Sequence, residues 1–142
     1  MEERVLIRVS SHSRYDGGED QLQLQGSGLL RRSANGWTLD YQATGEDGQS
    51  LSSRIRLSEQ PLQAILWNRG TEGYTLTLRP GHDTRLSLPS GLALTVRTTA
   101  LSFAPPEPDG CIRCAYTLLA GEQRFNELLL EIHIHRTQGE AP

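Results

Sequence analysis

Trp37-Thr38-Leu39-Asp40-Tyr41-Gln42 alternates apolar and polar side chains without interruption. A period of two marks a strand with one buried face, because successive side chains of an extended chain point to opposite sides. Trp37, Leu39 and Tyr41 are therefore expected to face inward. The same pattern recurs along the chain. Val5, Ile7 and Val9 alternate with Leu6, Arg8 and Ser10. Ser53, Ile55 and Leu57 alternate with Ser52, Arg54 and Arg56, and Tyr74, Leu76 and Leu78 with Thr75, Thr77 and Arg79. Arginine falls repeatedly on the polar face.

Turn chemistry separates these runs: Asp16-Gly17-Gly18, Asn35-Gly36, Glu46-Asp47-Gly48, Pro80-Gly81, Pro89-Ser90-Gly91, Asp109-Gly110 and Ala120-Gly121. Each supplies a glycine, aspartate, asparagine or proline of the kind a tight reversal needs. No stretch carries a helical period over ten residues. The most helix-tolerant one, Glu122 to Glu131, leads into Leu128, Leu130, Ile132 and Ile134, which alternate as a last strand does. The pattern predicts an all-β chain of nine or ten antiparallel strands in an up-and-down meander, closed into a barrel so that no long edge is left unpaired.

Two local irregularities are expected. Leu92, Leu94, Val96 and Thr98 hold one parity and Leu101 and Phe103 the other, which calls for a β-bulge near Thr98 to Ala100. Gly26 and Gly28 interrupt a strand-like segment and mark a bend or a close backbone approach. Ala104 to Gly110 is a proline-rich loop, whose prolines have no N–H to give a ladder. Residues 1–136 are expected to form one domain, with 137–142 a polar tail.

At 142 residues a single core forms without disulfides or metals. Fourteen basic against seventeen acidic residues give a net charge of −3, the wrong sign for gripping a phosphate backbone, so nucleic acid is not an expected partner. All fourteen basic residues are arginine, so lysine nucleophiles, Schiff bases and Walker-type phosphate sites are excluded. Met1-Glu2-Glu3-Arg4 runs directly into Val5-Leu6-Ile7 with no signal-like apolar region, and no run approaches the roughly 20 apolar residues of a spanning helix. With only two cysteines, the expectation is a cytoplasmic protein without a membrane partner.

Taken in order, Leu6-Ile7-Arg8-Val9, Trp37-Thr38-Leu39-Asp40-Tyr41, Arg69-Gly70, Pro89-Ser90-Gly91-Leu92 with Val96 and Thr98, then Gly110, Tyr116 and Asn126 form a series of landmarks. Across Val5 to Ile134 the chain resembles the YwiB-like family of bacterial domains of unknown function. The resemblance implies a calycin-like antiparallel barrel, the architecture shared with lipocalins and fatty-acid-binding proteins, and it implies no activity. The family often carries an acidic residue soon after the tyrosine matching Tyr41, where this chain reads Gln42-Ala43.

Candidate chemistry is sparse. Cys111-Ile112-Arg113-Cys114 has redox or zinc spacing, but on a regular strand positions i and i+3 face opposite ways, and no second pair completes a four-cysteine site. Cys114 then reads as a small core residue. Glu131, His133 and His135 share one strand face and are the candidate metal ligands, against the plain reading of a solvated polar stripe. His82 follows the Pro80-Gly81 turn, with no nucleophile assigned beside it. Gly26-Ser27-Gly28 is not a nucleophile elbow. No P-loop, dinucleotide fingerprint or H-E-x-x-H motif occurs, and no cofactor is expected.

The aromatics Trp37, Tyr41, Trp67, Tyr74, Phe103, Tyr116 and Phe125 all fall on expected strands. Core packing accounts for most of them. Trp37, Tyr41, Trp67, Arg69 and Tyr116 are the candidates for lining a pocket, with Arg69 able to grip an anion or to stack on Trp67. Three functional readings follow. The first is a non-catalytic barrel that takes a small apolar or anionic ligand in its cavity or mouth. The second is a solid barrel whose outer face binds another protein or a second copy in a homodimer. The third is a metalloprotein or enzyme built on His82, His133 and His135.

Overall fold

A computed structural model describes residues 2–68 and 74–137. They form ten strands: β1 (Glu2–Tyr15), β2 (Gly18–Ser33), β3 (Gly36–Thr44), β4 (Ser50–Glu59), β5 (Leu62–Asn68), β6 (Tyr74–Leu78), β7 (Asp83–Ser87), β8 (Ala93–Ala104), β9 (Asp109–Ala120) and β10 (Gln123–Arg136). No helix occurs among the described residues, and none is long and apolar enough to cross a membrane. Every ladder is antiparallel, in the order β6-β5-β4-β3-β2-β1-β10-β9-β8-β7. The first and last strands pair in the middle of the sheet. Its two edges, β6 and β7, are consecutive in the chain.

That arrangement curls the sheet into a nearly closed barrel. β6 and β7 share no ladder, but the turn through Pro80-Gly81 brings them side by side, closed by the His82 N–H bond to the Arg79 carbonyl (3.0 Å). Across the seam the Thr84 hydroxyl donates to the Thr77 carbonyl at 2.5 Å, and the Arg79 N–H donates to the hydroxyl of Thr98, a buried residue of β8, at 3.1 Å. Side-chain hydroxyls replace part of the missing ladder, so fewer backbone groups at the seam are left to water.

The expected parity holds. Val5, Ile7, Val9, Leu39, Tyr41, Ser53, Ile55, Leu57, Leu76 and Leu78 are all buried inside the barrel. Arginines on the outer face pair with carboxylates, Arg54 with Asp40 at 2.7 Å and Arg97 with both oxygens of Asp83, and at the barrel end where the inward parity of β1 and β10 runs out Arg136 pairs with Glu3 at 2.8 Å. Exposed pairs of this kind contribute about 0–1 kcal/mol each, so the apolar interior dominates stability.

The bulge is where the parity change requires it. Pairing of β8 with β9 shifts between Thr98 and Ala100, and the hydroxyl of the extra residue, Thr99, donates to the Ala115 carbonyl at 3.0 Å. A second bulge was not anticipated. Between β10 and β9 the register shifts at Phe125, which has no partner. Asp109-Gly110, read above as a turn, begins β9 instead, with Gly110 opposite Ile134. The reversal is made earlier, by the prolines, and a side chain at Gly110 would collide with the Ala104 carbonyl and the Pro106 backbone. The turn at Gln60-Pro61 has no glycine to announce it. Asn35 clasps it from the neighbouring turn, accepting from the Gln60 N–H at 3.3 Å and donating to its carbonyl at 3.2 Å. Of the expected tail, Thr137 bonds to the Arg4 carbonyl, and 138–142 lie outside the described residues.

Gly26 and Gly28 serve a close backbone approach. A Cβ on Gly26 would fall on the Gln42 carbonyl oxygen of β3, and one on Gly28 would sit 2.6 Å from the Asp40 carbonyl oxygen. Gly17, at φ 92° in the β1–β2 turn, has open space around it. Gly26→Ala should therefore lower the unfolding free energy by about 3 kcal/mol or more, from overpacking against backbone. Gly17→Ala should cost about 1–2 kcal/mol, from conformation alone. Urea unfolding of the two variants measures the contrast.

Candidate functional site

The two ends of the barrel differ. At the end holding the β2–β3, β4–β5 and β8–β9 connections, Trp37 of β3 meets Phe103 of β8 edge to face, with ring centroids 5.4 Å apart. These strands are not neighbours in the sheet, so the contact crosses the interior. Arg32 lies over the Trp37 ring at 5.4 Å, and Pro106 of the β8–β9 loop is buried. This end is plugged.

The opposite end holds the β1–β2, β3–β4, β7–β8 and β9–β10 turns. Here Leu22, Leu51, Leu118, Leu128 and Leu130 have the inward parity of their strands, Leu88 just past β7 packs against the same core, and all six are only partly buried. They form an apolar rim. Deeper in the same half, Tyr41 of β3, Tyr116 of β9 and the half-buried Tyr74 of β6 approach closely enough to influence one another's ionisation. Burial pushes Tyr41 up to about 12, with the neighbouring Ser53 hydroxyl working the other way. Burial likewise raises Tyr116, and then the charges that Tyr74, Cys114 and Tyr41 would carry. Tyr41 and Tyr116 therefore stay protonated at ordinary pH, each with a hydroxyl able to donate in an apolar setting. At the rim, Asn126 Oδ1 is buried with no hydrogen-bond partner among the described residues. An unpaired buried acceptor costs free energy and invites a donor.

A cleft of about 830 Å³ opens at this same end, between the tip of the β1–β2 hairpin and the start of β10. Tyr15 and Phe125 are its apolar walls, and each is about half exposed. Arg14, Arg124, Glu19 and Glu127 surround them, with Arg124 and Glu127 paired at 2.8 Å. A shallower depression of about 340 Å³ lies on the outer wall, lined by Arg4, Ser27, Leu29, Asp40, Gln42 and Ser52 among others.

The five residues suggested for a pocket do not make one site. Tyr41 and Tyr116 come together. Trp37 belongs to the plug at the other end. Trp67 has the parity opposite to buried Ala64 and Leu66, and its cross-strand partners Arg54 and Thr75 face outward, so it lies on the outer wall. Arg69 lies outside the described residues. Tyr74, Asn126 and the leucines were not singled out, although parity alone places Tyr74 inside.

The histidines separate too. His82 is exposed in the β6–β7 turn. His135 is held by Asp109 at 2.5 Å. Among the described residues the three metal-ligating side chains that cluster are Cys111, Glu131 and His133, so Cys111 takes the place expected for His135. Cys114 lies on the other face of β9, fully buried, its thiol pushed up to about 12 by burial and then by Cys111. Both cysteines are free.

Fold and rim define a nearly closed, ten-stranded antiparallel barrel with one plugged and one apolar, partly open end. The crystal structure of the YwiB protein from Bacillus subtilis is similar to it, with a TM-score of 0.75 over 95% of this chain and 92% of that one, at 19% sequence identity. At that identity the likeness is one of fold. No protein-family model matches the chain, and no curated protein matches it in sequence.

Alkaline titration should resolve the buried tyrosines. In the unfolded chain they lose protons near pH 10, and in the barrel Tyr41 holds its proton to about 12 and Tyr116 is likewise raised. Between those values the folded state binds more protons than the unfolded one, so stability falls as pH rises. The loss should approach about 1.4 kcal/mol per pH unit for each such tyrosine. Phenolate absorbance followed together with circular dichroism should show these two ionising only as the barrel unfolds, and Tyr116→Phe should reduce that late step.

Proposed function

We propose that the barrel is a non-catalytic binding module that takes a small, partly apolar ligand at its leucine-rimmed end. The observation carrying this reading is the rim itself: six core-packed leucines left partly uncovered above two protonated, buried tyrosines. Uncovered apolar surface around a few convergent polar groups is the usual composition of a small-molecule site. Phenols that stay protonated donate to a carbonyl or carboxylate, and an anionic head group would also find Arg14 and Arg124 at the neighbouring cleft. The ligand chemistry is therefore an apolar body with an acceptor-bearing or anionic head. The plug made by Trp37 and Phe103 would stop it from passing through the barrel.

Anilinonaphthalene sulfonate, an apolar probe with an anionic head, tests this directly. Saturable binding of one probe per barrel is expected. Leu128→Glu and Leu22→Glu should each weaken it about tenfold or more, the loss expected from removing one apolar contact and adding a like charge. Trp67→Ala, on the outer wall, should leave it unchanged. Unsaturable binding, or binding indifferent to both rim variants, would overturn the proposal.

A protein-binding outer face is the second reading. Leu6 of β1 and Leu29 of β2 are diagonal neighbours on the outer wall, 50% and 42% exposed. Light scattering that gives a monomer at high concentration would count against self-association through them.

A further inference from the structure

We infer that Cys111, Glu131 and His133 form a binding site for a divalent transition ion of the zinc class on the outer wall of the barrel. The three side chains come from paired strands. Cys111 of β9 stands directly opposite His133 of β10, and Glu131 lies two residues along β10 on the same face. One sulfur, one carboxylate oxygen and one imidazole nitrogen lie within 4.8 Å of one another. Around a tetrahedral zinc ion, with bonds of about 2.0–2.3 Å, such donors stand about 3.3–3.8 Å apart. The gap is about 1 Å, within reach of side-chain torsions on a fixed ladder.

Donor identity selects the ion. Thiolate and imidazole together suit zinc, cobalt and copper, and they suit magnesium and calcium poorly, since those ions prefer oxygen. Three protein ligands leave a fourth position for water. On binding, the Cys111 thiol gives its proton to solvent and the sulfur's electron pair to the metal. Without a cation the thiol is held protonated, first by burial and then by the Glu131 carboxylate, with Arg113 opposing. A divalent charge between sulfur and carboxylate reverses that balance.

The surroundings permit this. Arg113 lies 3.8 Å from Glu131 in a half-exposed pair, which is weak enough to yield. On the other side, β1 places Arg8 opposite His133 and Ser10 opposite Glu131, and β8 places Ala104 opposite Cys111. Arg8 and Arg113 are the opposing charges, and they hold the affinity below that of a closed structural site. His135 is committed to Asp109 and takes no part. The site is on the wall, remote in parity from the leucine rim, and does not depend on the proposed ligand.

Cobalt(II) is the probe, added to metal-free protein purified without a histidine tag. A thiolate-to-cobalt charge-transfer band should saturate at one ion per chain, and zinc should abolish it. Cys111→Ser should remove the band. His133→Gln should weaken binding by roughly a hundredfold, at least the loss seen when a supporting partner of a ligand is removed. His135→Gln should leave affinity unchanged, and circular dichroism should show each variant folded. An absent band in the folded wild-type protein, or equal affinity in the wild type and His133→Gln, would overturn the inference. A band lost equally in His135→Gln would place the metal elsewhere and overturn it as well.

Discussion

Side-chain parity, kept in step across ten strands, is the constraint on which this barrel depends. In a strand, a slip of one residue sends every inward side chain outward. A meander multiplies that demand, because each strand must agree with two neighbours. β9 carries the heaviest share. Its inward set, Ile112, Cys114, Tyr116 and Leu118, has to match β8 on one side and β10 on the other, and both matches need a bulge. At Thr99 the bulge turns the parity of β8 from Thr98 to Leu101, keeping both buried. At Phe125 it carries β10 from the hairpin turn into the register that opposes Leu128 to Tyr116 and His133 to Cys111. A regular ladder that paired Phe125 in turn would instead oppose Leu128 to Ala115 and Leu130 to Arg113, and the apolar face of β10 would meet the polar face of β9.

Closure follows from the same economy of register. The β1–β10 ladder locks the two ends of the chain together in mid-sheet, and the remaining strands wrap from there towards β6 and β7. The seam is the place where the curl is left to hydroxyls and a turn. Elsewhere, glycine lets the sheet coil tightly, as Gly26 and Gly28 do against the carbonyls of β3. Unequal strand lengths then produce unequal ends. β2 begins at Gly18, but its pairing with β3 starts only at Gln25, so the β1–β2 hairpin rises past β3 and leaves Leu22 partly uncovered.

Alternation made most of this legible in the sequence. Val5 to Val9, Trp37 to Tyr41 and Ser53 to Leu57 state their buried faces outright, and the parity change between Thr98 and Leu101 states its bulge. The Phe125 bulge left no such mark, since both neighbours of Phe125 are polar and no apolar series changes parity there. Its position decides cross-strand partners, so the pairing of Cys111 with His133 was hidden, and His135 stood in for the cysteine. Gln60-Pro61 turns without glycine, and Asp109-Gly110 has turn chemistry but sits where the prolines have already reversed the chain. For the tyrosines, parity reveals that Tyr41, Tyr74 and Tyr116 face inward, but their approach across three non-adjacent strands is a property of closure. Trp67 shows the converse. It was attractive as a large aromatic near a turn, yet the parity of Ala64 and Leu66 sends it outside.

β9 therefore presents two environments from one short segment. Cys114 and Tyr116 face an interior that suppresses ionisation, so a thiol and a phenol persist there as neutral packing and donor groups. Cys111, three residues from Cys114, faces the outer wall beside a carboxylate and an imidazole. The spacing that resembles a redox or zinc motif in one dimension is divided by the pleat into one core residue and one surface donor. Three residues on a strand separate two thiols as surely as they would unite them on a helix. Chemistry on this fold has to be assembled across strands, through register, and the two candidate sites differ in the same way. The rim gathers side chains from most of the way around the barrel, whereas the wall site needs only β9, β10 and the bulge that aligns them.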